Sequence, residues 1–293
     1  MKDIISIIKE NEKRYLNPLG LDKGTIVRWA KGMDLVRSET VFYTGGLYQM
    51  VPYIEKFASI MEKMYGISST TIGIARLLSR AKSLASLVPV GNTERYNKII
   101  RNIFTVLRTR INELGYLWED DIYSGALYYD LGLNRTFESH IKVVSDIMRR
   151  NNVKKVITID PHTNFVLREL MPKYTDFDVE VLHYTEVLSD LSIKADGYVL
   201  HEPCYMARWY NLSDKLGFIL NGVKKPKTSG IYTNCCGGPI ESLFPKIAKR
   251  IANNRLRELR KISENVLVSC PICLANLSRA GGANIVDVGE MIL

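Results

Sequence analysis

"ENVLVSCPICLANL", residues 264–277, holds a strand, a CxxC turn and the start of a helix in one short run. The same frame occurs 110 residues earlier as "VKKVITIDPHTNFVL", residues 153–167. Without gaps, Val156 falls on Val266, Pro161 on Pro271 and Leu167 on Leu277, while Asp160 falls on Cys270 and Thr163 on Cys273. A second pair of segments, "IYSGALYYDL" and "NCCGGPIESL", aligns at an offset of 112 and sets Tyr123 on Cys235, Ser124 on Cys236 and Gly125 on Gly237. A third pair, "FYTGGLY" and "HEPCYM", sets Gly46 on Cys204. Three segments in the same order, two at nearly the same offset and the third at 158, indicate a duplicated strand–turn–helix frame. The thiols stand in the second copy only.

Outward from these segments, strands and helices alternate. "TVFYTGGLY" reads as a strand ending in a glycine turn, followed by a helix through "VPYIEKFASIMEKMYG". "STTIGIA", residues 69–75, reads as a further strand. From Glu94 to Leu114 apolar residues recur at helical spacing, and Thr136–Asn151 reads as a long helix. "DGYVLHEPCY" and "GIYTNCCGG" read as strands that end at cysteines. This alternation indicates an α/β fold, parallel sheets flanked by helices. Each cysteine group is then expected just past a strand's C-terminal end, where open α/β sheets form their crevices.

The chain has 293 residues, five of them cysteines, Cys204, Cys235, Cys236, Cys270 and Cys273. An odd number confined to the last third does not suit a secreted disulfide framework; it suits a single site. CxxC delivers two soft ligands from one turn, the adjacent pair comes from a second turn and Cys204 from a third. Five thiolates exceed what tetrahedral zinc uses and what an ordinary cubane uses, so a larger or unusual iron–sulfur cluster is the leading reading. Zinc on four cysteines and a redox dithiol of Cys270 and Cys273 are the alternatives. Gly237 and Gly238 are expected to let backbone approach the inorganic core, and Pro203 and Pro271 to stiffen the ligand turns.

The net charge of +9 is scattered among acids, with no basic stripe interleaved with aromatics, which argues against nucleic acid and for an acidic protein partner. No apolar run is long enough to span a bilayer. The N-terminus, "MKDIISIIKENEKRYL", is broken by charges and reads as an amphipathic helix with Ile4, Ile5, Ile7 and Ile8 on its apolar side. A cytoplasmic location is expected.

"HEPCYMARW", "NCCGGP" and "VLVSCPICLANL" resemble the cysteine-rich CCG domain of heterodisulfide reductase B-type and D-type subunits. That module also occurs in iron–sulfur subunits of glycolate oxidase, lactate-utilisation enzymes and an unusual succinate dehydrogenase. "NEKRYLNPLGLDKGTIVRWAKGMD", "FYTGGLYQMVPYI", "YYDLGL" and "LHYTEVL" are similar to family phrases, so the resemblance covers nearly the whole chain. It implies two Rossmann-like halves related by a pseudo-twofold axis. It also implies a non-cubane 4Fe–4S cluster on Cys204, Cys235, Cys236, Cys270 and Cys273. The first half departs from the pattern: Gly46, Tyr123, Ser124, Asp160 and Thr163 replace the thiols.

The resulting division is an N-terminal helical docking segment, 1–38, a first repeat without cysteine ligands, 39–190, and a second repeat carrying the cluster, 191–293. The expected function is a redox subunit, active in a complex, working at a disulfide, thiol or sulfane-sulfur substrate, with a lipoylated carrier protein as one candidate. Its expected partners are a ferredoxin-like iron–sulfur subunit and a flavoprotein. The alternatives are an electron-transfer subunit of a hydroxy-acid or succinate oxidoreductase and a zinc-stabilised assembly subunit. Among single residues, His201 is the candidate catalytic group, as a proton donor to substrate sulfur or a partner of a cluster sulfide. Tyr123, Ser124, Tyr128 and Tyr129 either line a vacated cavity or pack it. Asp160 and His162 offer too few ligands for a second metal site. Arg208 is expected in a surface ion pair.

Overall fold

A computed structural model describes residues 2–64, 93–209, 212–241 and 243–293. The strands are β1 (Thr40–Tyr43), β2 (Gly115–Tyr116), β3 (Lys155–Thr158), β4 (Glu180–His183), β5 (Ile193–Lys194), β6 (Tyr198–Leu200), β7 (Leu220–Asn221), β8 (Asn265–Val268) and β9 (Asn284–Asp287). They form an all-parallel sheet of order β2-β1-β3-β4, a second of order β6-β8-β9 and a separate pair β5-β7. Continuous apolar runs such as Val266, Leu267 and Val268 are fully buried, as a parallel strand covered on both faces requires. The α/β class expected from sequence is the observed one. β1-β3-β4 and β6-β8-β9 share strand order and direction. The expected strand at 69–75 lies outside the described residues.

The expected helices form at Leu47–Met64, Thr93–Arg108 and Asn134–Arg150, and a further helix spans Pro245–Leu259. "GIYTNCCGG" is not a strand: Gly230–Tyr232 is a single turn of 3-10 helix. Gly230 takes φ +57°, and Ile231 and Tyr232 are 60% and 76% exposed, so no sheet face is available to bury them. The buried Glu202 holds this loop instead. Its carboxylate accepts from Gly230 N–H, and its carbonyl accepts from Thr233 Oγ1 at 3.0 Å. The expectation that all three cysteine groups follow strands therefore holds for β6 and β8 and fails for the adjacent pair.

The N-terminal segment packs into the core of its own chain. Ile4, Ile8 and Trp29 are buried, and Trp29 lies edge-on to Tyr116 at 4.8 Å and to Phe42 at 5.6 Å. Its indole N–H donates to Tyr116 at 3.1 Å. Glu12, on the helix Lys2–Tyr15, accepts from Tyr128 at 2.6 Å and meets His140 Nδ1 at 2.7 Å. Among the described residues, no helix is long and apolar enough to cross a membrane.

The β9 end joins the two sheets' neighbourhoods. Tyr48 donates to Asp287 at 2.9 Å, Gly289 N–H donates to the other oxygen at 2.8 Å, and Arg95 pairs with Glu290 at 2.8 Å. Burial raises the Asp287 carboxyl to about 7, against the hydrogen bonds from Gly289 and Tyr48. An unfolded aspartate titrates near 3.9, so the folded state holds the proton more tightly. This contribution is full below about pH 4 and is lost as pH rises through 7. Asp287→Asn is expected to match the parent near pH 4 and exceed its stability at pH 8 by on the order of 2–4 kcal/mol, read from denaturant midpoints.

Candidate iron–sulfur site

Three chain segments bring the five thiols together. Cys204 opens the helix Cys204–Trp209 after β6, and Cys270 caps the helix Pro271–Ala280 after β8, with Cys273 in its first turn. Cys235 and Cys236 arrive on the loop that Glu202 anchors. No disulfide forms. The Cys204 thiol lies beside Cys235, Cys235 beside Cys236, Cys236 beside Cys273, and Cys273 beside Cys270. Cys236, Cys270 and Cys273 are buried, and Cys204 and Cys235 are partly exposed, so the group has one edge toward solvent.

Five sulfurs this close cannot all be anions by themselves. Hydrogen bonds from Cys204 and Cys236, and one from Gly237 N–H at 3.3 Å, pull Cys235 down to about 2. Burial opposes ionisation of Cys270, but bonds from Cys273 and His162 hold it well below the thiol range. Cys204, Cys236 and Cys273 are pushed up, chiefly by hydrogen bonds to neighbouring cysteines: to Cys235 for the first two, and to Cys236 and then Cys270 for the third. Positive inorganic charge at their centre would release those protons, as thiolate–metal binding does. The donor set fits a sulfur-rich iron core.

A buried histidine backs the group. His201 Nε2 lies 3.2 Å from Cys273 Sγ, and its Nδ1 accepts from Arg255 Nε at 3.0 Å. Because guanidinium only donates, Nδ1 is bare and Nε2 carries the hydrogen toward sulfur. Burial, then the Arg255 charge, lowers His201 to about 3, so the ring is neutral. His201, Cys236 and Cys273 place their donor atoms within 4.8 Å of one another. Arg255 itself is 1% exposed and also reaches Thr228 Oγ1 at 2.9 Å and Glu258 at 2.7 Å.

The residues that align with the thiols in the first half behave differently. Asp160 caps its helix by accepting from His162 N–H at 2.9 Å and Thr163 N–H at 3.0 Å. Thr163 and Ser124 hydroxyls meet at 3.2 Å, and Tyr128 is buried on Glu12. Tyr129 is 38% exposed. His162 crosses over to Cys270; burial lowers its pKa, but the thiolate and Asp130 outweigh this and leave it raised to about 9. Its ring also packs 4.4 Å from that of Tyr205, which donates to Asp130. Arg208 donates to the Thr233 carbonyl at 2.6 Å, and among the described residues it makes no ion pair of the expected kind.

His162 and Asp130 line an apolar cleft with a volume of about 50 Å³. Its walls include Ile8 and Leu19, Leu47 and Met50, and Leu243 and Ile272. Tyr123, from the first copy's loop, also faces it.

Gly237 and Gly238 have protein neighbours that explain them. Gly237 sits at φ +96°, and a Cβ there would come 2.5 Å from the Ala248 carbonyl oxygen. A Cβ on Gly238 would come 2.2 Å from Ile272 Cγ2. Both glycines let the paired-cysteine loop seat against the helices Pro245–Leu259 and Pro271–Ala280. Gly238→Ala is expected to cost about 1–3 kcal/mol, and Ile272→Ala, which removes the clashing methyl, to recover part of that in the double variant. A thermodynamic cycle from denaturation measures this coupling.

The family model of the cysteine-rich domain named CCG matches residues 198–278. A probable membrane-anchored ferredoxin of Chromohalobacter salexigens is 27% identical over 68% of this chain and 33% of its own length. A probable iron-sulfur-binding oxidoreductase, FadF, of Bacillus subtilis is 24% identical over 70% of this chain and 32% of its own. The D-type subunit of the dihydromethanophenazine:CoB–CoM heterodisulfide reductase of Methanosarcina mazei is 29% identical over 33% of this chain and 28% of its own. The chain thus spans about a third of the length of the curated relatives it matches. The matched span contains the three cysteine groups, His201 and Arg255, and residues 198–278 are a cysteine-rich domain of the CCG family.

Proposed function

We propose that this chain is the iron–sulfur redox subunit of a heterodisulfide-reductase-like complex, working at a disulfide, thiol or sulfane-sulfur substrate. A sulfur substrate borne on a lipoylated carrier protein falls within that class. The observation that carries the reading is the run of five free thiols, each beside the next, from Cys204 through Cys235, Cys236 and Cys273 to Cys270. In this reading Cys204, Cys235, Cys236, Cys270 and Cys273 hold one non-cubane 4Fe–4S cluster. Bound there, the cluster supplies one-electron chemistry beside a substrate sulfur.

The chain's own residues have separate tasks. His201 acts through Cys273: its Nε2–H faces that sulfur at 3.2 Å, which favours the anionic, ligating form. Its neutral ring, held by Arg255, suits this positioning role better than proton donation to substrate. Reduction of a disulfide to two thiols consumes two electrons and two protons. In this reading all five cysteines go to the one cluster. Conventional clusters on an iron–sulfur partner subunit deliver electrons singly, with a flavoprotein beyond it. The free thiols suit the reducing cytoplasm.

Zinc is the second reading, favoured by the compact set of His201, Cys236 and Cys273. It would use Nε2, which the tautomer held by Arg255 presents as N–H, so zinc must also change that tautomer. Metal analysis of anaerobically purified protein separates the two. About four irons with matching sulfide and a brown colour are expected, and Cys236→Ala is expected to lose them. About one zinc and no colour would overturn the cluster reading.

A further inference from the structure

We infer that the apolar cleft beside His162 binds the substrate, and that it takes a slender aliphatic chain with an uncharged sulfur head, a thiol or disulfide. The sulfur part deepens the redox reading above and rests on it; the aliphatic part stands on the cleft itself.

Shape comes first. A volume of about 50 Å³ has room for roughly three to five water-sized groups. That volume, walled in part by Leu47, Met50 and Ile272, suits a methylene chain and is too small for a nucleotide or fused ring. Charge comes next. Among the described residues no lysine or arginine lines the cleft, and its carboxyl groups are Asp130 and Glu241. The one imidazole, His162, is already engaged with Cys270. A carboxylate or phosphate head would meet no free cation there and would lose its hydration uncompensated.

Position supplies the link to the thiols. His162 touches Cys270 on one side and packs, with its ring tilted, against Tyr205 on the other. Tyr205 follows Cys204 directly and donates to Asp130. A head group at the polar end of the cleft thus lies beside two segments that carry cysteines. The corner emptied of thiols in the first copy is closed by the Ser124–Thr163 contact at 3.2 Å, so the cleft lies next to that corner and does not replace it.

The test is ligand-observed NMR titration of the anaerobically purified, iron-loaded full chain with straight-chain amides from propanamide to octanamide. Affinity is expected to rise about fourfold per methylene until the cleft is filled. Octanoate is expected to bind at least tenfold more weakly than octanamide. Affinity independent of chain length, or octanoate binding as well as octanamide, would overturn the proposal. Ile54→Trp, at a half-buried wall position, is expected to weaken octanamide at least tenfold while iron per chain and visible absorption stay unchanged. Unchanged affinity in that iron-loaded variant would also overturn it. If the variant does not load iron, the amide series on the parent chain decides. Hexanethiol is expected to shift the visible spectrum and hexanol to leave it alone; identical spectra would remove the sulfur head. An iron-free parent chain that still shows the amide series sinks the redox reading and supports the aliphatic cleft.

Discussion

Five buried or half-buried sulfurs within reach of one another cannot all carry charge in a low-dielectric pocket unless positive charge sits among them. The rest of the second half is arranged around that constraint. Without such charge the thiols share protons, with Cys235 and Cys270 anionic and their neighbours holding hydrogen. Two helix starts, one anchored loop and a neutral histidine hold the sulfurs close despite their mutual repulsion. Arg255 gives the arrangement its rigidity, since it fixes the His201 tautomer and ties that ring to Thr228 and Glu258.

The parallel sheets are legible in the sequence because buried parallel strands read as short apolar runs, as at Val266–Val268 and Val156–Ile157. The helices after β3 and β8 are legible from their aligned prolines, Pro161 and Pro271. The segment before Cys235 reads as a strand and is not one. Its Ile-Tyr-Thr composition favours a strand, but Gly230 N–H is held by the Glu202 carboxylate, and the Tyr232 and Thr233 N–H groups close a local turn on the Ser229 and Gly230 carbonyls. Local propensity yields to such a tertiary contact.

The cysteines identify the site because thiols are few and their spacing is specific. The residues that tune them are hidden. Arg255 sits among the many charges of "RIANNRLRELR", and nothing local distinguishes the one that is 1% exposed. His162 reads from sequence as a poor metal ligand; its alignment beside the vacated CxxC position is the available signal, but its contact with Cys270 is purely tertiary. The glycines are right in kind and different in cause, since Ala248 and Ile272 already exclude a side chain there.

In the first half the positions that align with the thiols hold hydroxyls and a buried tyrosine among their residues. Among the described residues the five thiols form one sulfur-rich group, with a narrow apolar cleft close by. Iron X-ray absorption on the anaerobically isolated chain tests this most directly. The account predicts an all-sulfur shell around iron with neighbouring irons in the second shell, perturbed when His201 is replaced. A zinc ion bound by histidine and cysteine, with no iron–iron scattering, would contradict it.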